Sequence, residues 1–178
     1  TIQLYRIDSL NYIKELIKEG KKKKFFVGLK LVRGAYHQQE IDRSSRKGYK
    51  CPVHKIKQNT DNYYNKALEI CIKEIKTTSI CAGTHNEQSS AFLINLLKEN
   101  EISKNDKRVH FSQLLGMSDN ISYNAAKQGF NVSKYVPYGP VEDVIPYLIR
   151  RAEENTSISG QMGRELKNIV KEKLRRSA

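Results

Sequence analysis

Tryptophan is absent from this sequence, and three cysteines and four prolines are spread thinly over its 178 residues. The thiols, Cys51, Cys71 and Cys81, are odd in number and contain no CxxC pair, which excludes a disulfide framework and a zinc knuckle. They read as free thiols in a reducing compartment. No apolar run approaches the roughly 20 residues that a membrane-spanning helix needs. The opening TIQLYRIDSL has neither the charge pattern nor the apolar centre of a signal or transit peptide, and it lacks a methionine, so the chain reads as an excerpt. Glycine-rich phosphate loops are missing too: neither GxGxxG nor a Walker loop occurs, and no serine or cysteine stands in a GxSxG elbow. His37, His54 and His110 have no carboxylate or cysteine at ligand spacing; they read as surface or loop histidines, and no metal is assigned.

Acidic residues are also scarce, 19 against 32 Lys and Arg, for a formal charge of +13. The excess lies in short tracts such as KKKK at 21–24 and KEKLRR at 171–176, which read as solvated helix faces. No arginine-rich aromatic groove or zinc-finger spacing points to nucleic acid.

What is present is an alternation. With 38% hydrophobic and 29% charged residues the composition is globular, and the length fits one domain over 1–178. Short β-branched or aromatic runs alternate with helical periodicity. TIQLY (1–5) reads as a strand, then a helix with Leu10, Ile13, Leu16 and Ile17 inward, capped by Asp8 and ended by Gly20. FFVGLKLVR (25–33) is the second strand. A polar segment, 36–57, reads as a long loop broken at Cys51-Pro52, leading to a helix over 58–76 that buries Ala67, Leu68, Cys71, Ile72 and Ile75. TSICAGTH (78–85) precedes a helix capped by Asn86 with Phe92, Leu93, Leu96 and Leu97 inward. RVHFSQLL (108–115) and VSKYVPY (132–138) complete the strands, with helices over 119–129 and 141–154 and a last basic helix over 161–176.

Five parallel βα units build either a doubly wound sheet or part of a (β/α)8 TIM-type barrel. Polar residues stand at the C-terminal end of one strand after another: Gln3, Lys30 and Arg33, Thr84 and His85, Gln113, and Tyr135. Barrel enzymes gather their sites at that rim, so the expected fold is α/β, an incomplete barrel of about five βα units plus a C-terminal helix.

Four motifs carry chemistry, each with a plain alternative. In LKLVRGAY (29–36), Gly34 and Ala35 remove bulk where a flat or phosphorylated ligand could approach the backbone, while Lys30 is either a site residue or a snorkelling lysine. AGTHNEQ (82–88) is a set of hydrogen-bonding groups or only a helix cap. QLLGM (113–117) is a ligand wall or core. In IRRAEEN (149–155), Glu154 reaches Arg150 and Arg151 at i+4 and i+3; the three form a carboxylate clamp or an exposed salt-bridged face.

In this order, KLVRGAY, THNE, FSQLLGMSDNIS, KYVPYGP and PYLIRRAEEN resemble the proline dehydrogenase family over nearly the whole chain, and KLVRGAY together with YLxRRAxEN is the specific pair. The resemblance implies a flavoenzyme with a distorted (β/α)8 barrel. FAD would lie over the rim among Gln3, Lys30, Arg33, Gly34, Ala35, Thr84, His85 and Asn86, with Lys30 near flavin N5. Arg150 and Arg151 would clamp the L-proline carboxylate, Glu154 would orient them, and Leu114 and Tyr135 would pack on the pyrrolidine ring. The implied reaction is hydride transfer from proline to the flavin, giving Δ1-pyrroline-5-carboxylate, with the electrons then passed to a quinone. The implied location is the matrix side of the mitochondrial inner membrane, held peripherally. The family's barrel begins before the strand matching TIQLY, so the resemblance implies the C-terminal part of the catalytic barrel. A non-catalytic fragment that needs another chain is the alternative.

Overall fold

Side-chain alternation in the short runs and a 3.6-residue period in the long ones become strands and helices in the computed structural model, which describes residues 1–157, 170 and 173–176; for Arg150 and 152–157 only the backbone is described. In chain order the elements are β1 (Ile2–Gln3), α1 (Ser9–Lys23), β2 (Val27–Val32), α2 (His37–Lys47), α3 (Lys57–Lys73), β3 (Thr78–Gly83), α4 (Glu87–Glu99), β4 (Val109–Leu114), α5 (Asp119–Lys127), β5 (Val132–Tyr135) and α6 (Val141–Ser157). The chain divides into two compact units, Thr1–Tyr135 and Val136–Ala178.

The first unit holds a five-stranded sheet in the order β1-β2-β3-β4-β5, every pair parallel. Each strand lies beside its predecessor, as in a barrel wall, whereas a doubly wound sheet reverses its order at a switch point. Backbone bonds from Leu4 N–H to Val32 O and from Tyr5 N–H to Arg33 O, both 2.8 Å, carry the β1 pairing through the whole of TIQLY.

Alternation sets the two faces of the sheet. Val27, Leu29 and Leu31, Thr78, Ile80 and Ala82, and Val109 and Phe111 are buried against the helix layer. There they meet Ile13, Ile17, Tyr64, Ala67, Leu68, Cys71, Ile72, Leu93 and Leu97, the inward stripes of α1, α3 and α4. The residues between them, including Lys30, Val32, Cys81, Gly83 and Leu114, face the other way and are only half-buried.

Several expectations are corrected. Gly20 does not end α1; the helix runs to Lys23, and Lys24 takes the left-handed conformation at φ 58°. Gly20 is instead a contact point, since a Cβ there would stand 2.7 Å from Val27 Cγ2. The Asp8 side chain accepts no capping bond; Arg6 Nη2 donates to its carboxylate instead, at 2.6 Å. The segment 36–57 contains the helix α2, missed because Ile41 is its only strongly apolar residue and Ser44 its only buried one, so no hydrophobic stripe marks it. The loop begins at Gly48, φ 69°. It returns across the end of β1, where Val53 and Arg6 form an antiparallel bridge and His54 N–H donates to Tyr5 O at 2.8 Å. His54 is a loop histidine, but a buried one, with its ring edge-on to Tyr63 at 4.1 Å between centroids.

In the second unit, Asp143 and Val144 N–H both donate to Pro140 O at 3.0 Å and open α6. Residues 170 and 173–176 are helical. The rest of the helix expected over 161–176 lies outside the described residues.

Candidate functional site

The C-terminal ends of the strands bring several of the expected site residues together. Lys30 is half-buried on the open face of the sheet, and its ammonium lies 4.7 Å from the centroid of the Tyr135 ring. Its stem passes over Gly83, where an added Cβ would stand 3.4 Å from Lys30 Cε and 3.0 Å from Val32 Cγ1. Gly83, Ser112 and Ser133 form a row in register, so the residues that floor this face beside Lys30 are small. Leu114 and Tyr135 pair in the next row toward the rim. Gln3 pairs with Val32 and so shares this end of the sheet.

Arg33 points the other way, into the helix layer. Nε donates to Asp61 Oδ1 at 2.5 Å, Nη1 to Thr84 Oγ1 at 2.6 Å and Nη2 to Ser89 Oγ at 2.9 Å. The guanidinium lies over the Tyr64 ring, 4.4 Å from its centroid. Thr84 Oγ1 also accepts the Asn86 N–H at 3.1 Å, and Ser89 Oγ donates to Asn65 Oδ1 at 2.8 Å. Burial pushes the Asp61 carboxyl up, but hydrogen bonds from Lys57 and Arg33 outweigh it and hold the pKa below the ordinary value.

The loops between strand and helix are equally constrained. Gly34 has φ 122°, and the place of its side chain is filled by the Tyr5 ring, with Cδ1 2.5 Å from an ideal Cβ. Ala35 beside it is half-buried. Asn86 caps α4 as expected, its Oδ1 accepting the Ser89 N–H at 2.9 Å. His85 Nδ1 and Ser118 Oγ are 2.9 Å apart. Gln113 belongs to the helix layer rather than the open face: it is buried, donates to Thr84 O at 3.2 Å and accepts from Ser122 Oγ at 2.9 Å. Lys134 braces the loop after β4 through Met117 O and Asp119, both at 2.7 Å.

Arg150 and Arg151 lie on α6. The Arg151 guanidinium is 5.4 Å from the centroid of the Tyr147 ring. The side chains of Arg150 and Glu154 lie outside the described residues. Among the described residues, no group of three or more His, Cys, Asp or Glu could hold a metal ion, and no helix is long and apolar enough to cross a membrane.

Asp61, Asn65, Ser89 and Gly83 were not singled out from sequence. An isolated glycine inside a strand is itself a signal of close approach, so Gly83 was findable. Asp61 was not, because nothing in one dimension ties the second turn of α3 to Arg33.

Residues 1–164 match the family model described as proline dehydrogenase. Among curated relatives, mitochondrial proline dehydrogenase 1 of Drosophila melanogaster is 37% identical, over 99% of this chain and 27% of its own length. Mitochondrial proline dehydrogenase 2 of Arabidopsis thaliana is 40% identical over 93% of this chain and 36% of its own length. The chain thus spans about a third or less of these relatives. Among solved structures, proline utilization A from Bdellovibrio bacteriovorus inactivated by N-propargylglycine superposes with a TM-score of 0.83 at 28% identity, covering 89% of this chain and 16% of that one. With five parallel strands in sequential order and a family match over residues 1–164, the chain belongs to the proline dehydrogenase family.

Proposed function

We propose that residues 1–178 are the C-terminal part of a single catalytic barrel domain that oxidises L-proline to Δ1-pyrroline-5-carboxylate with FAD and passes the electrons to a quinone. The observation that carries this reading is the meeting of Lys30 and Tyr135 beside a floor of Gly83, Ser112 and Ser133. A planar ring needs a flat surface without side-chain bulk, and its electron-rich edge needs a cation; the residues present fit a flavin. When bound, the flavin supplies the hydride acceptor.

The chain's own residues then have distinct tasks. The Lys30 ammonium stabilises negative charge that develops on the ring beside it. Three of the five guanidinium N–H groups of Arg33 are engaged within the protein, which leaves two for a cofactor oxygen. Gln3, Thr84, His85 and Asn86 supply further polar contacts, and Gly34 and Ala35 keep the turn after β2 low. Arg150 and Arg151 bind the substrate carboxylate as guanidinium forks, and Glu154 holds them in orientation. Leu114 and Tyr135 pack on the pyrrolidine ring, and the bulk of Tyr135 disfavours a hydroxylated one. Proline must lose its ammonium proton before oxidation, and positive charge nearby lowers that pKa. The named relatives are mitochondrial, which supports the matrix side of the inner membrane, with peripheral contact, as the location.

A substitution at the clamp tests the reading. Arg150→Met or Arg151→Met is expected to raise the proline KM at least about tenfold, the scale of a lost charge-assisted bond, while FAD content stays unchanged. Flavin loss with an unaltered KM would count against the clamp. A non-catalytic chain that acts only with another chain is the second reading, favoured by the 27% and 36% coverage of the relatives. A yellow, monomeric preparation bleached by proline would refute it.

A further inference from the structure

We propose that Asp61 is a positioning residue of the cofactor site: its carboxylate orients Arg33 and, through Arg33, the Thr84 hydroxyl and segment 84–86. This rests on the reading of Arg33, Thr84 and Asn86 as cofactor contacts.

Asp61 lies in the first turns of α3, in the outer helix layer and outside every rim motif. Its side chain is 18% exposed and that of Arg33 20%, so solvent screens their 2.5 Å contact only in part. Nε is the guanidinium donor nearest the stem. Holding it at one edge, while the Tyr64 ring closes one face at 4.4 Å, leaves the planar fork a single orientation. That orientation aims Nη1 at Thr84 Oγ1 and Nη2 at Ser89 Oγ. Thr84 Oγ1 in turn receives the Asn86 N–H, so one hydroxyl joins the guanidinium to the backbone turn before α4. The other partner of Asp61, Lys57, is 76% exposed and bonds the second carboxylate oxygen at 2.9 Å, leaving Oδ1 to Arg33.

A carboxylate that served only to tie α3 to the sheet would stabilise the fold without reporting on cofactor affinity through Arg33. A double-mutant cycle on the purified protein separates the two, with apoprotein titrated by FAD and binding read from flavin fluorescence. Asp61→Asn is expected to raise the FAD dissociation constant about tenfold, the scale of a weakened charge-assisted bond, with the proline KM within about twofold of its starting value. In an Arg33→Met background the same change is expected to alter FAD affinity by less than about twofold, because the carboxylate then has nothing to orient. Lys57→Met is expected to leave FAD affinity unchanged. Equal losses from Asp61→Asn with and without Arg33 overturn the proposal, as does no loss where Arg33→Met alone weakens FAD. If Arg33→Met and Thr84→Val both leave FAD affinity intact, the reading of the rim has failed and the proposal falls with it. Should Asp61→Asn not fold, Ser89→Ala frees one edge of the guanidinium. A rise of a few-fold in the FAD dissociation constant then supports orientation, and none refutes it.

Discussion

Lys30 and His54 show how differently two side chains can be judged from sequence. A charge inside LKLV is costly unless it reaches a site or a partner, and the Lys30 ammonium does have a partner, the Tyr135 ring. His54 stands in a short, mixed stretch between Val53 and Lys55, and nothing there signals that the loop folds it under Tyr63. Its Nε2 is buried and no hydrogen-bond partner is found for it among the described residues. Burial lowers its pKa below 6.5, and the nearby His37 adds to that shift. The unfolded chain therefore binds the proton first as the pH falls. Stability is whole above the unfolded value of about 6.5 and declines as the pH drops toward the folded pKa. The urea midpoint should fall between about pH 7.5 and pH 5.5, the window around that value, and His54→Asn should show a shallower fall over the same window. An identical slope in the two proteins would remove His54 as the cause.

At the scale of elements, helices with an apolar stripe were legible and the one without it was not. α3 and α4 bury Leu68, Cys71 and Ile72, and Leu93 and Leu97, as their 3.6-residue spacing requires. α2 buries only Ser44, with His37, Glu40 and Ile41 half-buried, so neither its start nor its purpose shows in a hydrophobic pattern. Turns are similar: Gly34 and Gly48 look alike in sequence, and only packing separates them. Gly34 combines φ 122° with the Tyr5 ring 2.5 Å from an ideal Cβ, whereas Gly48, at φ 69°, has nothing within 4 Å. Gly34→Ala should therefore cost about 2–4 kcal/mol, strain plus overpacking. Gly48→Ala should cost about 1 kcal/mol, the left-handed conformation alone. Equal shifts in urea midpoint would show that the Tyr5 contact carries no weight. Asn86→Ala should lose about 1 kcal/mol with its cap, which a thermal melt can register.

For the whole molecule, the charge of +13 predicts self-repulsion that added salt relieves. Raising sodium chloride from about 20 to about 300 mM shortens the Debye length to well under 10 Å, and the Tm should rise. A Tm that falls would mean that ion pairs such as Lys21–Glu74 and Arg33–Asp61 outweigh the repulsion. The fold class was legible because each βα unit neighbours the next, so local periodicity and sequence order together determine the arrangement of the sheet. Sequence order alone determined that Lys30 and Tyr135, near or at the ends of their strands, and Thr84, His85 and Asn86, just beyond theirs, share one rim, since parallel strands place every C-terminus at one end. Only the tertiary structure decided which of them meet. The face a side chain takes is set by strand parity, and its partners by register with strands far away in sequence. That is why Lys30 crosses Gly83 to reach Tyr135, while Arg33, three residues on, turns into the helix layer and is held by Asp61.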